Sequence, residues 1–485
     1  MAVDTKTYIS NLFKAKNLNV SSNKASAFEE FVQSSICVDA VKIIIENQNI
    51  IMENWNLKNR ILDIKNQQIV IPNATIGKKY QAKIDFEVLK WNDLIFDQFE
   101  GLEELGLTFN KESDTIEGIP TQSGDIKLKF LFKIKGENEN SKPNEKLISL
   151  VINPDPKSLW KNIPSDINDP FWKEDDVSIS ESIGERHIVV SSKRGRSHKN
   201  VGSFRDDDFA FKHFEKTGWS VVAVSDGAGS YSLSRKGSQI ACNAVIDFFE
   251  NYNDVENNKL FEEKLLEFNS TKDETLLREI EVLSKKNLYQ ATVFVHNQIK
   301  EHAEKTFSQH PELFNNPKAK THLDYYHSTL IFAVFKKFEF GYVILTFGVG
   351  DCPIAVMSKD KTNTKLLNWL DVGEFGGGTR FITQPNIFHS QEHPMATRFN
   401  FQIVKDFAYL FLMTDGIYDP KFIVEANLEK SENWIEFIND LEGNNEDGIK
   451  VDFDKENKEI ANQLSSWMDF WSPGNHDDRT LAIVF

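Results

Sequence analysis

Cysteine is nearly missing from this chain. Its 3 copies in 485 residues, Cys37, Cys242 and Cys352, are isolated from one another and form no CxxC pair. That excludes a zinc-thiolate or disulfide framework and suits a reducing compartment. No run of about 18 apolar residues is found, so no membrane-spanning helix is expected. The opening Met1-Ala-Val-Asp-Thr-Lys-Thr-Tyr has no charged-then-apolar signal texture. Basic residues are also in deficit: 56 Lys plus Arg stand against 73 Asp plus Glu, a net charge of −17. That balance argues against nucleic acid or a membrane surface as partner. The expectation is a cytoplasmic protein, too long for one ordinary core and built of two or three domains.

What the chain does have is aspartate at the ends of apolar runs. Trp219 to Val224 reads as a buried strand that runs into Asp226-Gly227. Phe340 to Phe347 runs into Gly350-Asp351, and Phe407 to Thr414 into Asp415-Gly416. Asn475-His-Asp477-Asp478-Arg-Thr480 leads into the terminal run Leu481 to Phe485. A single Asp-Gly after a strand is an ordinary turn signal. Four such edges, widely separated in sequence, are hard to explain as turns. Grouped carboxylates repel one another unless cations sit among them, which points to divalent metal. All-oxygen donors suit Mg2+ or Mn2+ rather than zinc.

Taken in order, Asp226-Gly-x-Gly, Gly350-Asp351-Cys, Thr414-Asp415-Gly416-Ile-Tyr-Asp419 and Asp477-Asp-Arg-Thr480 resemble the type-2C (PPM) metal-dependent serine/threonine protein phosphatases. The likeness covers about residues 185 to 485. It implies an α+β fold: a central β-sandwich of two antiparallel sheets flanked by helices. It also implies two ions, with Asp226 bridging them, the Gly227 carbonyl on one, and Asp415 and Asp477 on the other. Asp207 and Asp208 would hold waters on the ions, Asp351 would join Asp415 around a third ion, and Asp478, where the family commonly has Asn, is counted with the metal residues. The resemblance makes Asp226, Asp415 and Asp477 the catalytic set, activating water for in-line attack on phosphorus without a protein nucleophile. The family's phosphate-binding Arg has no clear counterpart, because Ser203 holds the position four residues before the first acid. Arg196, His198 and Arg205 are the three candidates, each with the alternative reading of a solvated basic turn. Ser230, Cys352-Pro353 and Asp478 depart from the family pattern without removing a bridging ligand.

The rest of the chain reads as scaffold. Residues 1–66 form a small helical segment, and residues 67–153 a β-sandwich in which Ile69 to Pro72, Tyr80 to Phe86 and Asp125 to Ile134 are strands. Leu105 to Gly124, with its Gly118-Ile-Pro120-Thr turn, resembles bacterial immunoglobulin/cadherin-like modules, which implies a protein-binding unit. Residues 154–184 form a connector rich in Pro, Asp and Trp, and 185–485 the phosphatase-like domain. An N-capping Ser234 opens a helix there. His296, His302, His310, His322 and His327 share no ligand spacing and are not assigned to metal. Val372 to Thr383 is a glycine-rich loop lining the site. The implied partner is a phosphorylated protein, with a cognate Ser/Thr kinase or its target as counterpart. Two rivals stand beside this reading: a weak pseudophosphatase that docks phosphoproteins, and a two-metal phosphoesterase acting on nucleotides. The lack of a basic groove counts against the second.

Overall fold

The computed structural model describes residues 4–155, 158, 160–252, 255–371, 378–391 and 393–485. It divides into two compact units, Met1–Leu159 and Trp160–Phe485.

The first unit opens with helices Thr5–Ala15, Ala25–Gln33 and Ser35–Asn66. Asp4 caps the first by accepting from the Thr7 amide at 3.3 Å. Two sheets follow. A four-stranded sheet runs Ala74–Thr75, Asn144–Asn153, Gly124–Ile134, Leu94–Glu100. A three-stranded one runs Tyr80–Lys83, Thr115–Gly118, Leu107–Asn110. Apolar residues of both, among them Ala82, Leu107, Phe130 and Leu150, share one core with Ile64 of the long helix. The stretch Ile69 to Pro72 joins no strand. Pro72 has no N–H to give a ladder, its carbonyl accepts from the Tyr80 hydroxyl at 2.7 Å, and Ile71 sinks into the core instead.

The second unit carries two antiparallel sheets. The five-stranded sheet runs Asp208–Phe214, Trp219–Ser225, Leu330–Phe338, Gly341–Val349, Phe399–Val404. The six-stranded sheet runs Thr364–Leu366, Ile354–Ser358, Phe407–Met413, Arg479–Val484, Arg186–Lys193, Asp176–Ile183. Three apolar clusters follow from the two-residue period of the strands. One draws on both sheets, through Val222, Ile331 and Ile344 from the first and Val190, Leu412 and Ala482 from the second. Another joins Val221, Phe332 and Leu345 to Ala241 and Val295 of helices Ser234–Asp247 and Glu274–Gln309. The third joins Val189, Phe411 and Ile483 to Ile417, Trp434 and Trp467 of helices Asp415–Phe422, Ser431–Leu441 and Ile460–Trp467.

Two local expectations differ. The strand Asp176–Ile183 pairs along its length with Arg186–Lys193, so the compact unit takes in the end of the expected connector. Ser234 does not cap its helix: it is the first helical residue, and its hydroxyl donates to the Tyr231 carbonyl at 2.8 Å. Within the glycine-rich loop, Val372 to Gly377 lie outside the described residues.

Candidate metal centre

Strand pairing gathers the acids. Asp208 stands opposite Ser225, and Leu330 opposite Val349, so Asp207, Asp226 and Gly350-Asp351 emerge from one end of the five-stranded sheet. Met413 stands opposite Leu481, which brings Thr414-Asp415 beside Asp477 to Thr480 in the six-stranded sheet. The backbone locks each in place. Thr329 exchanges two hydrogen bonds with Asp226, its amide donating to the carbonyl at 2.8 Å and its hydroxyl accepting from the amide at 2.9 Å. Gly227 forms a bridge to Ser328, and a Cβ there would lie 2.6 Å from the Asp206 carbonyl oxygen. Gly416 is tighter still: a Cβ would meet the Asp478 carbonyl oxygen at 1.9 Å.

The electrostatics of these acids are those of an anionic cluster. Burial raises the Asp226 carboxyl well above its ordinary range, and Asp415, Asp207, Asp477 and Asp351 push it further. Asp415 is raised in the same way, by burial and then by Asp477, Asp351 and Asp207. Asp477 is raised by burial and Asp478, and Asp351 by burial against the opposing hydrogen bond from Thr379. Burial and Asp478 push Asp207 up to about 7, even though Thr414 and Thr480 both donate to its Oδ2 at 2.8 Å. Among the described residues, Asp207 Oδ1 and Asp351 Oδ1 are buried without a hydrogen-bond partner. One carboxylate oxygen each from Asp226 and Asp351 lies within 4.8 Å of the other and of Cys352 Sγ. The Cys352 thiol is itself pushed well up by burial and by Asp226, which keeps it neutral. Oxygen is therefore the donor atom, and buried lone pairs left unmet fit a hard divalent cation.

Two acids expected at the metal are taken up by other partners. Asp208 is the first residue of its strand, one past Asp207, and its side chain takes a partner of its own. It pairs with Lys173 Nζ at 2.9 Å. Burial works to raise it, but Lys173 and Arg205 outweigh that and hold it below the usual range. Asp478 is committed to the scaffold. Its Oδ1 accepts from the Gly195 amide at 2.6 Å and sits 2.9 Å from His198 Nδ1, while its Oδ2 accepts from the Asp206 amide.

The three candidate phosphate cations also separate. Arg196 donates to the Phe470 carbonyl at 3.0 Å and the Asp469 carbonyl at 2.6 Å, with its guanidinium over the Trp471 ring. Arg205 is buried and bound to the Glu174 and Asp207 carbonyls and to Ser192 Oγ. Neither has its fork free. His198 alone borders the acids, with Nε2 3.8 Å from Asp206 and Nδ1 on Asp478. Burial pulls the imidazole down, but the charge and hydrogen bond of Asp478 outweigh it and push it up to about 10.

Several supporting residues carry no local sequence signal. Asp206 lies inside the cluster, its carboxyl pushed up to about 7 by burial and Asp478. Lys173 reaches the Asp207 carbonyl at 2.7 Å. Asp371 accepts from the Gly350 amide at 2.8 Å and is gripped by Arg398. A repeated buried polar residue flanking each acid motif, such as Thr414 and Thr480, is the only hint the sequence offers of this framework.

Over residues 194–467, more than half of the chain, the sequence matches the family model described as Protein phosphatase 2C. No curated protein matches it. Among solved structures the chain is similar to a bacterial serine phosphatase, at 14% identity over 61% of this chain and 96% of that one, with a TM-score of 0.32. It is similar to a serine/threonine phosphatase from Staphylococcus aureus, at 12% identity over 67% of this chain and 96% of that one, TM-score 0.32. A third likeness is to the catalytic domain of the serine/threonine protein phosphatase PstP in complex with 2 manganese ions. It has 12% identity over 61% of this chain and 96% of that one, with a TM-score of 0.33.

Proposed function

The chain belongs to the protein phosphatase 2C family, and from that premise we propose that its second unit hydrolyses phosphoserine and phosphothreonine in proteins with the help of Mg2+ or Mn2+. The observation that carries this reading is the acid cluster. Asp207, Asp226, Asp351, Asp415 and Asp477 raise one another's protonation, and two of their oxygens are buried and unpartnered. Left empty, such a cluster is held together against its own repulsion. The facing apolar residues of the two sheets, with helices on their other faces, support a helix–sheet–sheet–helix sandwich as the frame.

Asp226, Asp415, Asp477 and the Gly227 carbonyl would hold the ions, with Asp351 at a further position beside Asp415. The ions would supply an acidified water as nucleophile and positive charge for the phosphoryl oxygens. The chain's own part is placement. Thr414 and Thr480 fix the Asp207 carboxylate, and Gly227 and Gly416 let the strand ends close on one another. His198, held by Asp478, donates from Nε2 to a phosphoryl oxygen. No protein nucleophile is required, and the neutral, buried Cys352 thiol is not one. A cognate kinase, or a protein it modifies, is the source of substrate in this reading. The first unit is read as an immunoglobulin/cadherin-like protein-binding module behind a helical segment.

The test is phosphate release from a phosphothreonine peptide with Mn2+, with and without chelator, beside Asp415→Ala. Metal-dependent turnover lost in the variant is expected. A folded protein that binds the phosphopeptide but releases no phosphate with any divalent metal would favour the pseudophosphatase.

A further inference from the structure

The helix Ser35–Asn66 is 32 residues long, about 48 Å at 1.5 Å per residue. Each half of it has one side accounted for, and the two sides differ. Cys37, Val41 and Ile45 pack with Ile9 and Val32 of the two preceding helices. Leu57, Ile61 and Ile64 join the core of the strands that follow. Apolar residues outside those contacts are open. Ile36 is 80% exposed, Ile43 58%, Ile50 54%, Ile51 67%, Trp55 56% and Leu62 44%.

These residues are ordered. Ile36, Ile43 and Ile50 recur every seventh residue, so on a helix of about 100° per residue they fall in one line, open in this half and continued by Leu57 and Ile64 into the core. Ile51, Trp55 and Leu62, four and seven residues apart, fall in a second line about 100° round the helix. The polar residues inside this surface are Lys58, on a stem long enough to keep its charge in water, and Asn47 and Asn54. The two asparagines turn back on their own helix, donating to the Ile43 carbonyl at 2.7 Å and the Ile50 carbonyl at 2.8 Å. Part of their hydrogen bonding is thus met before anything covers them, which lowers the cost of burying them.

We infer that this stripe is a homodimer interface, with the same helix of a second copy as its occupant. Two observations select that partner. The exposed fractions of the six residues amount to on the order of 700 Å² per copy, close to the roughly 800 Å² a standard interface buries on each side. A monomer seldom leaves so much contiguous apolar surface to water. The seven-residue spacing of Ile36, Ile43 and Ile50 is also self-matching over that half of the helix: a helix with that repeat is well met by another with the same repeat, and a twofold pair supplies it from one patch. The inference is independent of the phosphatase chemistry, since no residue of the metal centre takes part.

Sedimentation velocity on the full chain at micromolar concentration tests it. A species of two chains is expected, converted to one chain by Ile43→Glu with Ile51→Glu, with far-UV circular dichroism unchanged. Val88→Glu, at a 76% exposed position on the strand-rich part of the first unit, should leave the dimer intact. Should the double Glu variant fail to fold, Ile43→Ala with Ile51→Ala keeps helix propensity and should weaken the dimer at least tenfold. A wild type that stays monomeric at tens of micromolar overturns the inference. So does a dimer that survives both double variants.

Discussion

Arg398 grips Asp371 with both terminal nitrogens, Nη1 on Oδ2 at 2.5 Å and Nη2 on Oδ1 at 2.8 Å, and both side chains are fully buried. The same Asp371 oxygen that faces Nη1 also accepts the Gly350 amide at 2.8 Å, and the Asp371 amide donates to the Gly350 carbonyl at 2.8 Å. Since Asp351 is the next residue, the pair sets where one of the cluster's carboxylates emerges.

Breaking this pair should be expensive. Arg398→Ala leaves the buried carboxylate only the Arg380 guanidinium, 3.8 Å away, and a loss of about 3–5 kcal/mol in urea unfolding is expected. Arg398→Lys keeps the charge but not the fork and should recover only part of it. A loss below about 1 kcal/mol in Arg398→Ala would show that the pair does not hold the loop.

Two of the basic candidates, His198 and Arg205, make different predictions. His198→Ala should raise KM for a phosphothreonine peptide and weaken inhibition by inorganic phosphate by roughly tenfold, the size of one charge-assisted hydrogen bond. Arg205→Ala should act instead on stability, because Arg205 is spent on backbone carbonyls and Ser192. The reverse pattern, with phosphate inhibition moved by Arg205→Ala and not by His198→Ala, would reassign the role.

Acid stability offers a check away from the metal centre. His302 lies between the Phe171 and Tyr326 rings, and burial, then Lys236 and Lys305, push its imidazole down to about 4. An unfolded histidine titrates near about 6.5. Between those values the unfolded chain holds the extra proton, so this contribution is complete above about pH 6.5 and is lost as pH falls toward 4. His302→Phe should therefore lose less stability than wild type over that interval. Parallel curves for the two proteins would contradict the assignment.

The strand ends were legible because strand and acid signals are both local. Trp219 to Ser225 is a β-branched run buried at every position, and a run of that kind followed by Asp-Gly marks its own end. Which acids turn inward was not legible. Asp207 and Asp208 are adjacent and chemically alike, and what separates them is Lys173, 35 residues from Asp208. The Asp371–Arg398 pair spans 27 residues and joins segments with no periodicity to announce it. The strand Asp176–Ile183 escaped notice because it lies at the sheet's edge, where exposed and half-buried residues blur the alternation. Ile69 to Pro72 misled in the other direction: its composition suits a strand, but its proline does not.

The most direct test of the metal centre is a calorimetric titration of the chelator-treated full chain with Mn2+, repeated with Asp226→Ala. Binding of at least two ions by wild type is expected, together with a rise in thermal midpoint, and loss of both in the variant. Equal Mn2+ binding by wild type and Asp226→Ala, or none by either, would contradict a metal centre built on this acid cluster.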